Sequence, residues 1–82
     1  MSVVDDVREF LRTDLKVRQI DKVDPDDRLV DRGVIDSIEL MQLTAFIEQK
    51  YGIVVDDPEV VPDNLGSLTA IDRFVQRKLG RR

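Results

Sequence analysis

Asp36-Ser37-Ile38-Glu39-Leu40-Met41-Gln42-Leu43-Thr44-Ala45-Phe46-Ile47-Glu48-Gln49-Lys50-Tyr51-Gly52 carries both a helix start and a helix stop. Asp36 is an N-cap, and Glu39, three residues on, can reach back to the cap amide in a capping box. Gly52 supplies the left-handed residue on which helices commonly end. Wound at about 100° per residue, Leu40, Leu43, Thr44, Ile47 and Tyr51 share one arc, which Phe46 extends. Ile38, Met41 and Ala45 fall on a second arc, roughly a quarter-turn or more from the centre of the first. A helix packed on one side needs a single apolar face, and this one has two. Ser37 heads the second stripe, in the first turn, where free backbone N–H groups and the helix dipole favour an attached phosphate. The second stripe either packs beneath the short segment 58–62 or stays free for a partner, and the periodicity leaves both open.

Outward from this helix, periodicity predicts two more. Upstream, Val4, Val7, Leu11 and Leu15 form a stripe widened by Val3 and Phe10, with Ser2 as N-cap and Asp5 and Asp6 in the first turn. Arg8, Arg12 and Lys16 line up beside it and read as a solvated face. Downstream, Ser67 is the expected N-cap of a last helix whose stripe is Leu68, Ile71, Val75 and Leu79, with Phe74 alongside. Residues 80–82 read as a frayed tail. The connection 18–36 is long, and loops of that length are usually functional or pinned to the core; Ile20, Val23, Leu29, Val34 and Ile35 can do the pinning. Between the second and last helices, Pro58 is placed to begin a short helix and Pro62 to stop one. The expected fold is all-α, a four-helix bundle with a short third helix, in one domain over 1–82.

Composition narrows the function. The 82 residues suffice for one core and leave no room for a separate catalytic lobe. Cysteine and histidine are both absent, which removes the usual nucleophile, zinc ligands and neutral-pH base, so an enzyme is not expected. A net charge of −4 with 37% charged residues argues against a nucleic-acid binder. No apolar run approaches a membrane span, and the acidic N-terminus does not resemble a signal peptide. The acids Asp24, Asp26, Asp27 and Asp31 suggest calcium. However, Leu29 occupies the glycine position of a calcium loop and no glutamate closes it, so no metal site is expected.

The pattern Leu29-(three residues)-Gly33-Val34-Ile35-Asp36-Ser37-Ile38-Glu39-Leu40 resembles the phosphopantetheine attachment motif of acyl and peptidyl carrier proteins. The resemblance continues through Ile47-Glu48-Gln49-Lys50-Tyr51-Gly52-Ile53 and Asn64-Leu65-Gly66-Ser67-Leu68-Thr69-Ala70-Ile71. It implies that Ser37 carries a covalent 4′-phosphopantetheine arm derived from coenzyme A, and that Asp36 caps the helix and faces the modifying enzyme. It also implies a phosphopantetheinyl transferase, a loading enzyme (an adenylating ligase or an acyltransferase) and downstream biosynthetic enzymes as partners. Ile38, Met41 and Ala45, the stripe below the serine, are the expected partner contacts.

Two departures bear on the pathway. Two residues, Val34 and Ile35, stand between the glycine and Asp36 where fatty-acid carriers usually have one, and the second helix is less acidic than theirs. Asp36 also replaces the histidine frequent in modular peptide synthetases. The chain looks more like discrete aminoacyl or D-alanyl-type carriers, acting as a cytoplasmic monomer in a specialised pathway. A housekeeping fatty-acid carrier is the alternative, and an unmodified helical docking domain the alternative of another class.

Overall fold

The computed structural model describes residues 2–80. Helix α1 spans Val3–Thr13, and the Ser2 hydroxyl accepts from the Asp5 amide at 3.1 Å, as the cap pattern predicts. The helix ends earlier than its stripe. Asp14 is the C-cap, and Lys16 takes a left-handed φ of 61°, so Leu15 reaches the core from a turn. The row of cations is therefore broken before Lys16; Arg12 stays exposed, as the solvated-face reading has it, whereas Arg8 is half-buried. Arg8 donates to the carbonyls of Ile20 at 2.7 Å and Val23 at 2.9 Å, while Arg12 pairs with Asp21 at 3.0 Å. Both ties run to the 3-10 turn Arg18–Lys22 and its end, which is how the first part of the long connection is held.

Helix α2 spans Ser37–Tyr51 and closes on Gly52 at φ 67°, matching both expected ends. Its Leu43 and Ile47 are buried, with Leu40, Phe46 and Tyr51 packed against the core. A 3-10 turn at Asp57–Glu59 carries Pro58 in its first turn, and α3 then spans Pro62–Leu65. Here the expectation for Pro62 is overturned: it opens a helix rather than stopping one. Its fixed φ and missing N–H suit the first helical position, and Leu65 three residues on is buried at 2% exposure. Helix α4 spans Leu68–Lys78, its Ser67 cap accepting from Ala70 at 3.1 Å. Gly80 is held by a bond to the Arg77 carbonyl; the remainder of the expected tail, Arg81 and Arg82, lies outside the described residues.

The four helices make an all-α bundle with no strand among the described residues. Helix α1 packs against α2, α4 and the first 3-10 turn, and α3 packs on α4. Val7, Leu11, Ile20, Leu29, Ile47, Leu68, Ile71 and Val75 are fully enclosed, each burial worth roughly 1.5–3 kcal/mol. No buried residue among those described is polar. Polar groups instead tie elements at the edges: Tyr51 donates to Asp6 at 2.7 Å between α2 and α1, beside a Phe10–Phe46 stack with centroids 4.3 Å apart. Burial first, then the Asp6 carboxylate, raises the Tyr51 phenol above its ordinary value.

Candidate functional site

The start of α2 is built so that its cap and its exposed hydroxyl belong to different residues. Asp36 accepts from the Glu39 amide at 2.7 Å, and Glu39 accepts from the Asp36 amide at 3.0 Å. Both cap functions are thereby filled by carboxylates. Ser37, one position later, is solvent-exposed, and none of the side-chain bonds among the described residues engages its hydroxyl. It stands in the turn whose amides lack intrahelical acceptors and where the dipole favours an anion.

The approach to this serine is a tethered loop. Gly33 takes φ 71°, which turns the chain and lets the Val34 and Ile35 amides donate to the Leu29 carbonyl at 2.8 and 3.2 Å. Ile35 and Leu29 are buried, so the exposed pair Asp36-Ser37 rests on an apolar footing. Val23 is also buried and Val34 half-buried, as the spacing of apolar residues in the connection predicts.

Below the serine, the second stripe faces solvent: Ile38 is 70% and Met41 72% exposed, and Ala45 is exposed too. It does not pack beneath 58–62. That place is taken by Leu40, which lines a shallow cleft of about 120 Å³ with Val30, Val60, Val61, Pro62 and Leu65. Sequence reasoning missed Val30 and Val61, both 40% exposed; the only local signal is a pair of valines in polar loops. A second depression, lined by Asp6, Glu9, Phe10, Phe46 and Lys50, lies further along α2. Its Phe46 is about 13 Å along the helix axis from Ser37, too far to share its chemistry.

The carboxylates of α2 are occupied. Glu39 completes the capping box, and Glu48 accepts from the Val55 amide at 2.9 Å. The exposed positions Ile38, Met41, Gln42, Ala45 and Gln49 are all uncharged, with Lys50 at the far end. At the opposite edge of the cleft segment, Lys78 pairs with Glu59 at 2.8 Å and holds its carboxyl below the usual glutamate value.

The fold and this helix start thus make a small helical bundle with an exposed serine whose hydroxyl holds no side-chain bond among the described residues. Residues 5–71 match the family described as phosphopantetheine attachment site, and the chain belongs to that family of carrier proteins. It is also 31% identical over 58 residues to aminoacyl carrier protein 2 of Bradyrhizobium diazoefficiens, an overlap covering 71% of this chain. The overlap covers 64% of that protein, just under two thirds of its length. The family's cofactor is covalent 4′-phosphopantetheine, and its members work with a phosphopantetheinyl transferase and biosynthetic enzymes. The start of α2 fits the group: the exposed Ser37 hydroxyl can form the phosphodiester, in the first turn of a helix whose dipole favours an anion. Among the described residues, no helix is long and apolar enough to cross a membrane.

Proposed function

We propose that Ser37 Oγ is the point of attachment and that the chain, as a single carrier domain, presents an acyl or aminoacyl group to biosynthetic enzymes. The observation that carries this reading is the division of labour at the helix start: Asp36 takes the cap and leaves the Ser37 hydroxyl exposed and unheld. In the attachment step Oγ displaces 3′,5′-ADP from the pyrophosphate of coenzyme A. The Oγ–P bond forms, the pyrophosphate P–O bond breaks, and the hydroxyl proton passes to a base on the transferase. The bound arm supplies a terminal thiol for thioester linkage of the cargo. This chain contributes the nucleophilic oxygen, the rigid cap beneath it and the surface the partners grip; Asp36, Ile38, Met41 and Ala45 form that surface. Incubation with coenzyme A and a transferase tests the assignment by intact mass. One arm on the native chain and none on Ser37→Ala is expected, and an arm on Ser37→Ala overturns it.

Within carriers, the reading extends to a specialised pathway whose loading enzyme adenylates an amino or other carboxylic acid with ATP. Two observations support it: α2 offers no free carboxylate on its exposed face, which weakens docking to basic fatty-acid enzymes, and the Bradyrhizobium relative is an aminoacyl carrier. Such a carrier works in the cytoplasm as a monomer. Side-by-side loading separates the two pathways. ATP-dependent charging with poor malonyl transfer is expected, and efficient malonylation reverses the choice.

A further inference from the structure

The segment that delivers Ser37 to its place hangs on the backbone of one residue, Leu29. The amides of Val34 and Ile35 both donate to the Leu29 carbonyl, and the Leu29 amide donates to the Gly66 carbonyl at 2.8 Å. Leu29 is therefore a joint between the approach to the serine and the corner where α3 meets α4. Its side chain is fully enclosed, so the joint cannot slide without disturbing the core.

The corner has its own closure. The Gly66 amide donates to the Pro62 carbonyl at 2.8 Å, and a Cβ at Gly66 would collide with that same carbonyl oxygen. Backbone angles are not the reason for a glycine here, since φ −78° and ψ −19° are open to any residue. Space is the reason: the backbone of α3 occupies the place a side chain would need. From its outer side α3 is held by Asn64, whose Oδ1 accepts from Arg77 at 2.9 Å and whose Nδ2 donates to the Glu59 carbonyl at 2.9 Å. A side chain at Gly66 thus forces either α3 or the Gly66 carbonyl to move, and the carbonyl carries Leu29 with it.

We infer that Gly66 is a positioning residue for arm attachment: its bare Cα lets α3 close, and its carbonyl sets, through Leu29, where Ser37 stands. The inference rests on Ser37 being the attachment residue. An in-line displacement at phosphorus is sensitive to the placement of the attacking oxygen, and a shift of about 1 Å can cost up to a hundredfold in rate. The docking stripe lies on α2 itself and is not part of the relay.

The test uses the full chain, coenzyme A and a purified transferase, with Gly66→Ala compared against Val7→Ala, a core truncation in α1 away from the relay. Rates are taken by intact mass well below both melting temperatures. Gly66→Ala is expected to lower kcat roughly tenfold, with KM for the carrier little changed. It should also lose amide-exchange protection at Leu29, Val34 and Ile35 while α1 keeps its own. Val7→Ala should lose stability but retain kcat. Native kcat and native protection in Gly66→Ala overturn the inference, as does an equal loss of kcat in Val7→Ala. Should Gly66→Ala fail to fold, native-state exchange of the unaltered protein decides. Leu29, Val34 and Ile35 must open together with Leu65 and Gly66, and independent opening refutes the relay. Ser37→Ala runs alongside: an arm on that variant defeats the site assignment, whereas an arm confined to Ser37 with an insensitive Gly66 defeats only the positioning role.

Discussion

Helices α2 and α4 begin in nearly the same way and end up with different tasks. At α4 the serine is the cap itself: the Ser67 hydroxyl accepts from Ala70, and Leu68, Ile71, Phe74 and Val75 of the following stripe are buried, with Leu79 packed partly against the core. At α2 the cap moves one residue upstream to Asp36, the serine hydroxyl stays unengaged, and Ile38 and Met41 stand in solvent while Leu43 and Ile47 are buried. Helix α4 is thus built wholly to hold the bundle. Helix α2 gives up part of that role so that one hydroxyl and one apolar strip remain available. A serine near a helix start carries no functional information by itself; what matters is whether another residue has taken over its capping bond.

The sharpest way to break this comparison is to remove each hydroxyl. Ser37→Ala should abolish arm attachment, and Ser67→Ala should leave it intact, both read by intact mass after transferase treatment. Modification that follows Ser67 instead would invert the roles of the two helices. The next largest effect separates the faces of α2. Leu43→Glu places a carboxylate at a site with 1% exposure and should unfold the domain. Met41→Glu, with the same group two residues away, should keep helical circular dichroism and a cooperative melt while slowing attachment or loading. Equal collapse of both variants would mean that the second stripe is core after all.

Smaller effects sharpen the picture of the caps. Asp36→Ala and Ser67→Ala should each cost about 0.5–2 kcal/mol in thermal or denaturant melts. Ser37→Ala should change stability by only a few tenths of a kcal/mol, since it removes no capping bond. A larger loss in Ser37→Ala than in Asp36→Ala would show that the hydroxyl shares the cap.

The smallest effects lie at the other ends of the two helices, where pH acts in opposite directions. Glu59, held below its usual value by Lys78, favours the fold above a pH of about 4.3 and loses that contribution as pH falls through its lowered value. Tyr51, raised by burial and Asp6, favours the fold below a pH of about 10 and loses its contribution as pH rises further. Glu59→Gln should therefore flatten the acid limb of a stability profile and Tyr51→Phe the alkaline limb. A Glu59→Gln profile that still falls as steeply in acid would assign that limb to other carboxylates.

What the sequence made legible follows the range of the interactions. Both ends of α2 and the caps at Ser2 and Ser67 were readable because each cap joins residues three or four apart. The Asp36 cap was readable for the same reason, whereas Ser37 makes no such bond and was singled out by the resemblance. The Arg8 bonds to Ile20 and Val23 span 12 and 15 residues and go to carbonyls, which every residue possesses, so no side-chain pattern announces them. The Leu29–Gly66 link is backbone to backbone and equally silent. Pro62 shows a different limit: a fixed φ suits both a helix start and the residue after a helix, and only the burial of Leu65 decides between them.

Ile38 and Met41 also bear on how this chain should be engineered. At 70% and 72% exposure they contribute little to the fold, and a procedure that optimises stability or solubility would exchange them for lysine or glutamate. The redesigned protein would express well and melt cooperatively, and on the reading proposed above its enzymes would no longer find it. A stabilised variant of this carrier therefore needs its substitutions confined to the other helices, with α2 treated as fixed text.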